Sequence, residues 1–179
     1  MNRWIVSIAI AASAGTANVY AQLPHAADVP AGQSENADVD FLRHANTSNV
    51  TQMMLGRTAA KKTKTSGVRE LGEAVAKSHV KANDALKILA AAKHVDLPGG
   101  PGADGQAEVD DLNGNHNADA DRQYVSQVIR DNDELIAFYQ DAADHSQDAD
   151  IRAHAATMLP ALREHRERAE NLLSSALGR

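Results

Sequence analysis

Four stretches of this chain place apolar residues at steps of three and four, and each stripe is interrupted near its middle by one polar side chain. The clearest runs Val68, Leu71, Val75, Ala82, Leu86, Leu89, with His79 between Val75 and Ala82. At about 3.6 residues per turn, such steps keep the apolar groups on one face of an α-helix, whereas a strand would alternate them residue by residue. No stretch shows that alternation. The spacing therefore predicts four amphipathic helices that must bury their stripes against one another.

The first helix is predicted over 38–64, with Phe41, Ala45, Leu55 and Ala59 inward and Met53 beside them. The second covers 66–94 behind a Ser66 cap, the third 119–144, and the fourth 148–177. Tyr124, Val125, Val128, Leu135 and Tyr139 are the inward set of the third. Those of the fourth are Ile151, Ala155, Met158, Leu162, Ala169, Leu172 and Ala176. Asp148 and Asp150 put negative charge at the start of the fourth helix, where the backbone dipole favours it. Between the second and third helices, DLPGGPGADG and NGNHNAD break the chain around a short helix over 106–112. The fold class expected is all-α: a four-helix bundle with a short extra helix in the middle connection. Pro160 should free the carbonyl of Ala156 and kink the fourth helix.

Composition narrows the function classes. With 179 residues, 43% apolar and only 3% aromatic, the chain suits one domain whose core is built from Ala, Leu, Val, Ile and Met. A net charge of −6 argues against nucleic acid as a partner, which would require a basic stripe. There is no cysteine, hence no disulfide, and stability must come from the core.

The first residues, MNRWIVSIAIAASAGTANVYAQ, read as a secretory leader over 1–21, with Arg3, an apolar run from Trp4 to Ala12, and cleavage expected after Ala21. A flexible linker is expected over 22–37 and the bundle over 38–177. No later segment is apolar enough to span a membrane. The protein is expected to be periplasmic or secreted.

The polar interruptions are Gln52, His79, Asn132 and His165, one per helix. All four should point inward and form a buried polar layer. In bundles, such layers are where di-iron and di-manganese sites are built from carboxylates and histidines on facing helices. A hard divalent ion needs anionic oxygen ligands, however, and Gln52 and Asn132 offer neutral amides. Asp131 and Asp133 flank Asn132 about a quarter-turn to either side, and Asp84 and Glu164 also fall off the stripes. A metal site at His79 and His165 is thus the alternative reading, with a divalent transition metal as its cofactor. The leading reading has no cofactor.

The segments DFLRHANTSNVTQMMLGRTAAKKT, VAKSHVKANDALKILAAAKHVDLP, ADRQYVSQVIRDND and TMLPALREHRERAENLL carry a family resemblance. The chain resembles DUF4142, a family of exported bacterial proteins of unknown function, many described as outer-membrane or periplasmic proteins, with a ferritin-like four-helix domain. The resemblance implies that fold and a polar inner layer. Members usually carry a glutamate in the first helix, Asp-His in the second and a histidine in each of the others. His79 and His165 match. The glutamate falls at Gln52, the aspartate at Ser78 and the third-helix histidine at Asn132, so this member has lost the ionisable half of the layer. The Leu159-Pro160 pair matches too.

Other candidates carry less. In DLNGNHNADADR, Asp111, Asn113 and Asn115 alternate like calcium ligands, but Arg122 stands where a bidentate glutamate belongs. Asp141, Asp144, His145, Asp148 and Asp150 read as a solvated acidic turn, and Arg57, Lys61, Lys62 and Lys64 as charges favouring a helix C-terminus. No serine, histidine and acid arrangement supports nucleophilic catalysis. The function expected is a binding or structural role in the cell envelope without catalysis, with an envelope protein as the partner class. A metal-binding protein and a helical interaction module are the alternatives.

Overall fold

The computed structural model describes residues 31–115, 119–175 and 177, with backbone alone for 31–36. The expected leader and the linker residues up to 30 lie outside the described residues, as does Ala176. Within them the protein is all-helical: α1 (Ala31–Lys62), α2 (Ser66–Ala92), α3 (Gly102–Gly114), α4 (Ala120–His145) and α5 (Ala149–Ser175). The element order is as the spacing predicts. α1 begins at Ala31 rather than Asp38, inside the stretch expected as linker, because AGQSENA contains no proline and nothing in it prevents the helix from continuing backwards.

The helices form two hairpins. α1 packs along α2 and α4 along α5, α2 meets α5, and α1 and α4 barely touch. The α1–α2 pairing is close because Gly56 faces Gly72: a Cβ on Gly56 would sit 2.5 Å from the Gly72 carbonyl oxygen. Only hydrogen fits there, and the backbones approach accordingly.

The helix ends are set locally. Thr65, rather than the predicted Ser66, is the N-cap of α2, and its hydroxyl donates to Asp121 Oδ2 at 2.6 Å instead of capping its own helix. Asp148 caps α5 by accepting from the backbone of Asp150 at 2.9 Å and Ile151 at 3.1 Å, and it pairs with Lys93. α2 ends where Val95 N–H reaches the Ala90 carbonyl and His94 N–H the Ala91 carbonyl, with His94 in left-handed geometry at φ 55°. That is the Schellman arrangement, with histidine where glycine is commonest. Lys62 differs from expectation. Its ammonium donates to the carbonyls of Leu112 and Asn115, both at 2.8 Å, and to that of Asn113, so it holds the end of α3. Pro160 stands within α5 on the exposed face, as does Ala156, so the carbonyl it frees turns toward water.

The core is divided in two. One cluster contains Phe41, Leu42, Ala45, Leu86, Leu135, Tyr139, Ile151 and Leu162. The other contains Leu55, Leu71, Val75, Val109, Leu112, Tyr124, Val125, Val128 and Ala169. The predicted inward residues are buried, except that Met53, Leu89 and Leu172 are half-buried near helix edges and ends. Along every long helix the boundary between the clusters falls at a polar residue. Among the described residues Ile88, 75% exposed, is the large hydrophobic side chain left in solvent.

Candidate functional site

The residues between the two clusters are Gln52, His79, Asn132 and His165, all buried, and Asn46, Asn49 and Asn83 are buried with them. A polar atom enclosed this way requires a partner, since leaving it bare costs about 1–3 kcal/mol. Where each hydrogen bond goes decides what the layer can do.

His79 Nδ1 lies 2.8 Å from Asn49 Oδ1. A carbonyl oxygen can only accept, so Nδ1 carries the proton and Nε2 carries a lone pair. His165 Nε2 lies 3.0 Å from Ser78 Oγ, which is also 3.0 Å from the carbonyls of Ala74 and Val75. Those carbonyls accept the hydroxyl proton, so His165 donates from Nε2 and its Nδ1 is bare. The two rings are 5.9 Å apart between centroids. Burial pushes His79 down to about 3, with His165 adding to the effect, and burial pushes His165 down to about 4. Both imidazoles are therefore neutral at pH 7.

Gln52 and Asn132 are not partners of the imidazoles. Gln52 Nε2 donates to Asp131 Oδ2 at 2.7 Å, and Asn132 Nδ2 to the Val128 carbonyl one turn back in its own helix at 2.7 Å. His79 Nε2, His165 Nδ1, Asn83 Oδ1 and Asn132 Oδ1 are all buried and met by no donor of the described residues. Asn49 Nδ2 and the hydroxyls of Tyr124 and Tyr139 are buried without a partner among the described residues as well, so the layer holds four unmatched acceptors against one unmatched amide donor of its own. Among the described residues no three of His, Cys, Asp and Glu converge as a metal-binding group. Asp84 and Glu164 are exposed, off the stripes as expected.

Asp131 was placed off the stripe by the sequence and is half-buried, yet it reaches Gln52 across the α1–α4 seam. Burial raises its carboxyl to about 6 against the Gln52 hydrogen bond, and Glu108 and Glu134 add to the rise. These carboxylates and Asp104 line a cavity of about 280 Å³ with His44, Gln52 and Phe138. Asn49 and Ser78, which fix the two histidine tautomers, were not singled out as inward residues by the stripes. Asn49 lies one turn beyond Ala45, and that spacing is the signal that could have found it.

α3 covers part of the seam, its Val109 and Leu112 packing with the second cluster. Beside the first cluster the seam stays open, and a second cavity of about 670 Å³ is lined there by Phe41, His44, Phe138, Ala142 and the carboxylates of Asp38, Asp40 and Asp141. The acidic turn expected around Asp141 to Asp150 thus divides: Asp141 faces this cavity and pairs with His145 at 2.9 Å, while Asp148 is consumed as a cap.

A family model described as a domain of unknown function, DUF4142, matches residues 23–172. Among solved structures the chain is similar to the crystal structure of a DUF305 fragment from Deinococcus radiodurans. The two share 18% identity and a TM-score of 0.67, over 76% of this chain and 95% of that one. At that identity the likeness shows the helical fold alone. No curated protein matches the chain.

Proposed function

We propose, on the premise that this chain belongs to the DUF4142 family, that it is an exported bundle which binds a ligand in the cell envelope rather than transforming one. The leader-like first 21 residues support export. No helix among the described residues is long and apolar enough to cross a membrane. The observation that carries the binding reading is the surplus of acceptors in the layer: two bare imidazole nitrogens and two bare amide oxygens, against one unpaired donor, Asn49 Nδ2, enclosed between apolar clusters. The one amide donor can match one acceptor at most, and the others are matched by something that donates or by a cation. A purely structural layer would pair its own groups, as Gln52 does with Asp131.

A metal is the second reading, favoured by the two neutral, partnerless nitrogens on neighbouring rings. The chemistry of the donors narrows the ion. Two uncharged imidazoles without a carboxylate suit a soft ion of low charge, such as Cu(I), better than a hard divalent one.

The test is the metal content of mature protein purified without chelator or histidine tag, with thermal melts in iron, manganese, zinc and copper, the last also under reducing conditions. Near-stoichiometric metal that vanishes in His79→Ala with His165→Ala establishes the metal reading. Protein that carries no metal, and whose melting ignores every ion, sinks it. If in addition high-resolution diffraction finds the four acceptors satisfied by ordered water alone, the binding reading of the layer falls as well.

A further inference from the structure

The open half of the α1–α4 seam carries a feature separate from the histidine layer. α1 and α4 are neighbours around the bundle, yet they barely touch, and α3 packs on α1 where it can fill the gap beside the second cluster. Beside the first cluster the cavity of about 670 Å³ opens instead. Its wall is aromatic: Phe41 and Phe138 stack at 5.1 Å between centroids with 18° between their planes, and His44 meets Phe138 edge-on at 4.6 Å. Its rim is acidic. Asp38, Asp40 and Asp141 line it with His145, and among the described residues no lysine or arginine does. Asp38 accepts from Ser146 Oγ at 2.7 Å and Asp141 is engaged by His145, so two of the carboxylates are held at the rim by neighbours that also line the cavity.

We propose that this cleft binds a small organic cation, an ammonium on an apolar or aromatic body. The stacked rings bury the hydrocarbon, a ring face attracts the positive group, and the rim carboxylates neutralise it. An anionic ligand would meet three carboxylates with no lysine or arginine of the described residues to offset them. A neutral apolar ligand would leave the acidic rim unused. The volume is that of a small-molecule site rather than of a peptide groove.

The experiment is calorimetric titration of the mature full-length chain with benzyltrimethylammonium, with benzyl alcohol and benzoate as neutral and anionic counterparts. The cation should bind, benzoate should not, and benzyl alcohol should bind at least tenfold more weakly. Phe138→Ala should weaken the cation at least tenfold. So should the triple variant Asp38→Asn, Asp40→Asn, Asp141→Asn, which changes only groups at the cavity rim and whose fold is checked by circular dichroism. His79→Ala with His165→Ala should leave binding unchanged, which separates this site from the layer. The proposal is overturned by cation and alcohol binding equally, by the triple variant binding as the parent does, or by no binding at millimolar concentration. A dimer seen in sedimentation and abolished by Phe138→Ala would overturn it in favour of a second copy seated in the cleft.

Discussion

His79 and Asn49 face each other across the α1–α2 interface with Nδ1 and Oδ1 2.8 Å apart, and this one bond fixes the tautomer of a fully buried imidazole. The proton spent on Asn49 leaves Nε2 bare toward the bundle interior. What the layer can hold follows from that assignment.

His79→Leu alone strands Asn49 Oδ1 in an apolar surrounding, and should cost about 1–3 kcal/mol. Adding Asn49→Leu removes the stranded acceptor, so the double variant should be more stable than the single. Urea unfolding followed by circular dichroism measures both. A double variant less stable than the single would mean that Asn49 has a second buried partner of greater weight.

Stability should fall below neutral pH, at a rate set by opposing groups. His79 and His165 have lowered folded values of about 3 and about 4, so their contribution is complete above the unfolded histidine value and is lost as pH falls through the window beneath it. Asp131 is raised to about 6, so it takes up a proton in the folded state first and adds stability as pH falls from about 6 toward the ordinary carboxylate range. Counting these three groups alone, the net between about pH 6 and pH 4 is one proton, or about 1.4 kcal/mol lost per pH unit. His154 and Asp148, both lowered, steepen the fall, and Glu108, raised by burial, opposes it. In Asp131→Asn one opposing proton is gone and the slope should steepen by about 1.4 kcal/mol per pH unit. Denaturant midpoints at four pH values decide it, and an unchanged slope in the variant would contradict the assignment.

Gly56→Ala should separate α1 from α2, because its Cβ would meet the Gly72 carbonyl oxygen at 2.5 Å and backbone cannot move aside cheaply. The better helix propensity of alanine contributes only about 1 kcal/mol in the other direction, and overpacking of this kind costs about 1–3 kcal/mol. The melting temperature should drop. A rise would show that the hairpin has slack at this crossing.

His94→Gly should stabilise the protein. His94 is an exposed residue at φ 55°, where a side chain is strained and glycine is not. The gain expected is about 1 kcal/mol, reduced somewhat by the greater freedom of glycine in the unfolded chain. A thermal melt that moves downward would mean that the imidazole makes a contact of its own at the end of α2.

The sequence by itself determined the helices, their order, the faces they bury and the level of the polar layer on each, because those follow from rotation per residue along one chain. It also determined that His79 and His165 belong to that layer. Tertiary structure decided the pairings. Asp131, set a quarter-turn off its stripe, still reaches Gln52 because α1 and α4 part at the seam and leave room for a side chain to cross. Asn132 instead turns to the carbonyl of Val128 in its own helix. Lys62 was legible only as a charge near a helix end, whereas the fold places the end of α3 under its ammonium. The open cleft at Phe41 and Phe138 belongs to the same class. It exists because α3 covers only part of a seam between two helices far apart in sequence, and no local spacing encodes the distance between helices.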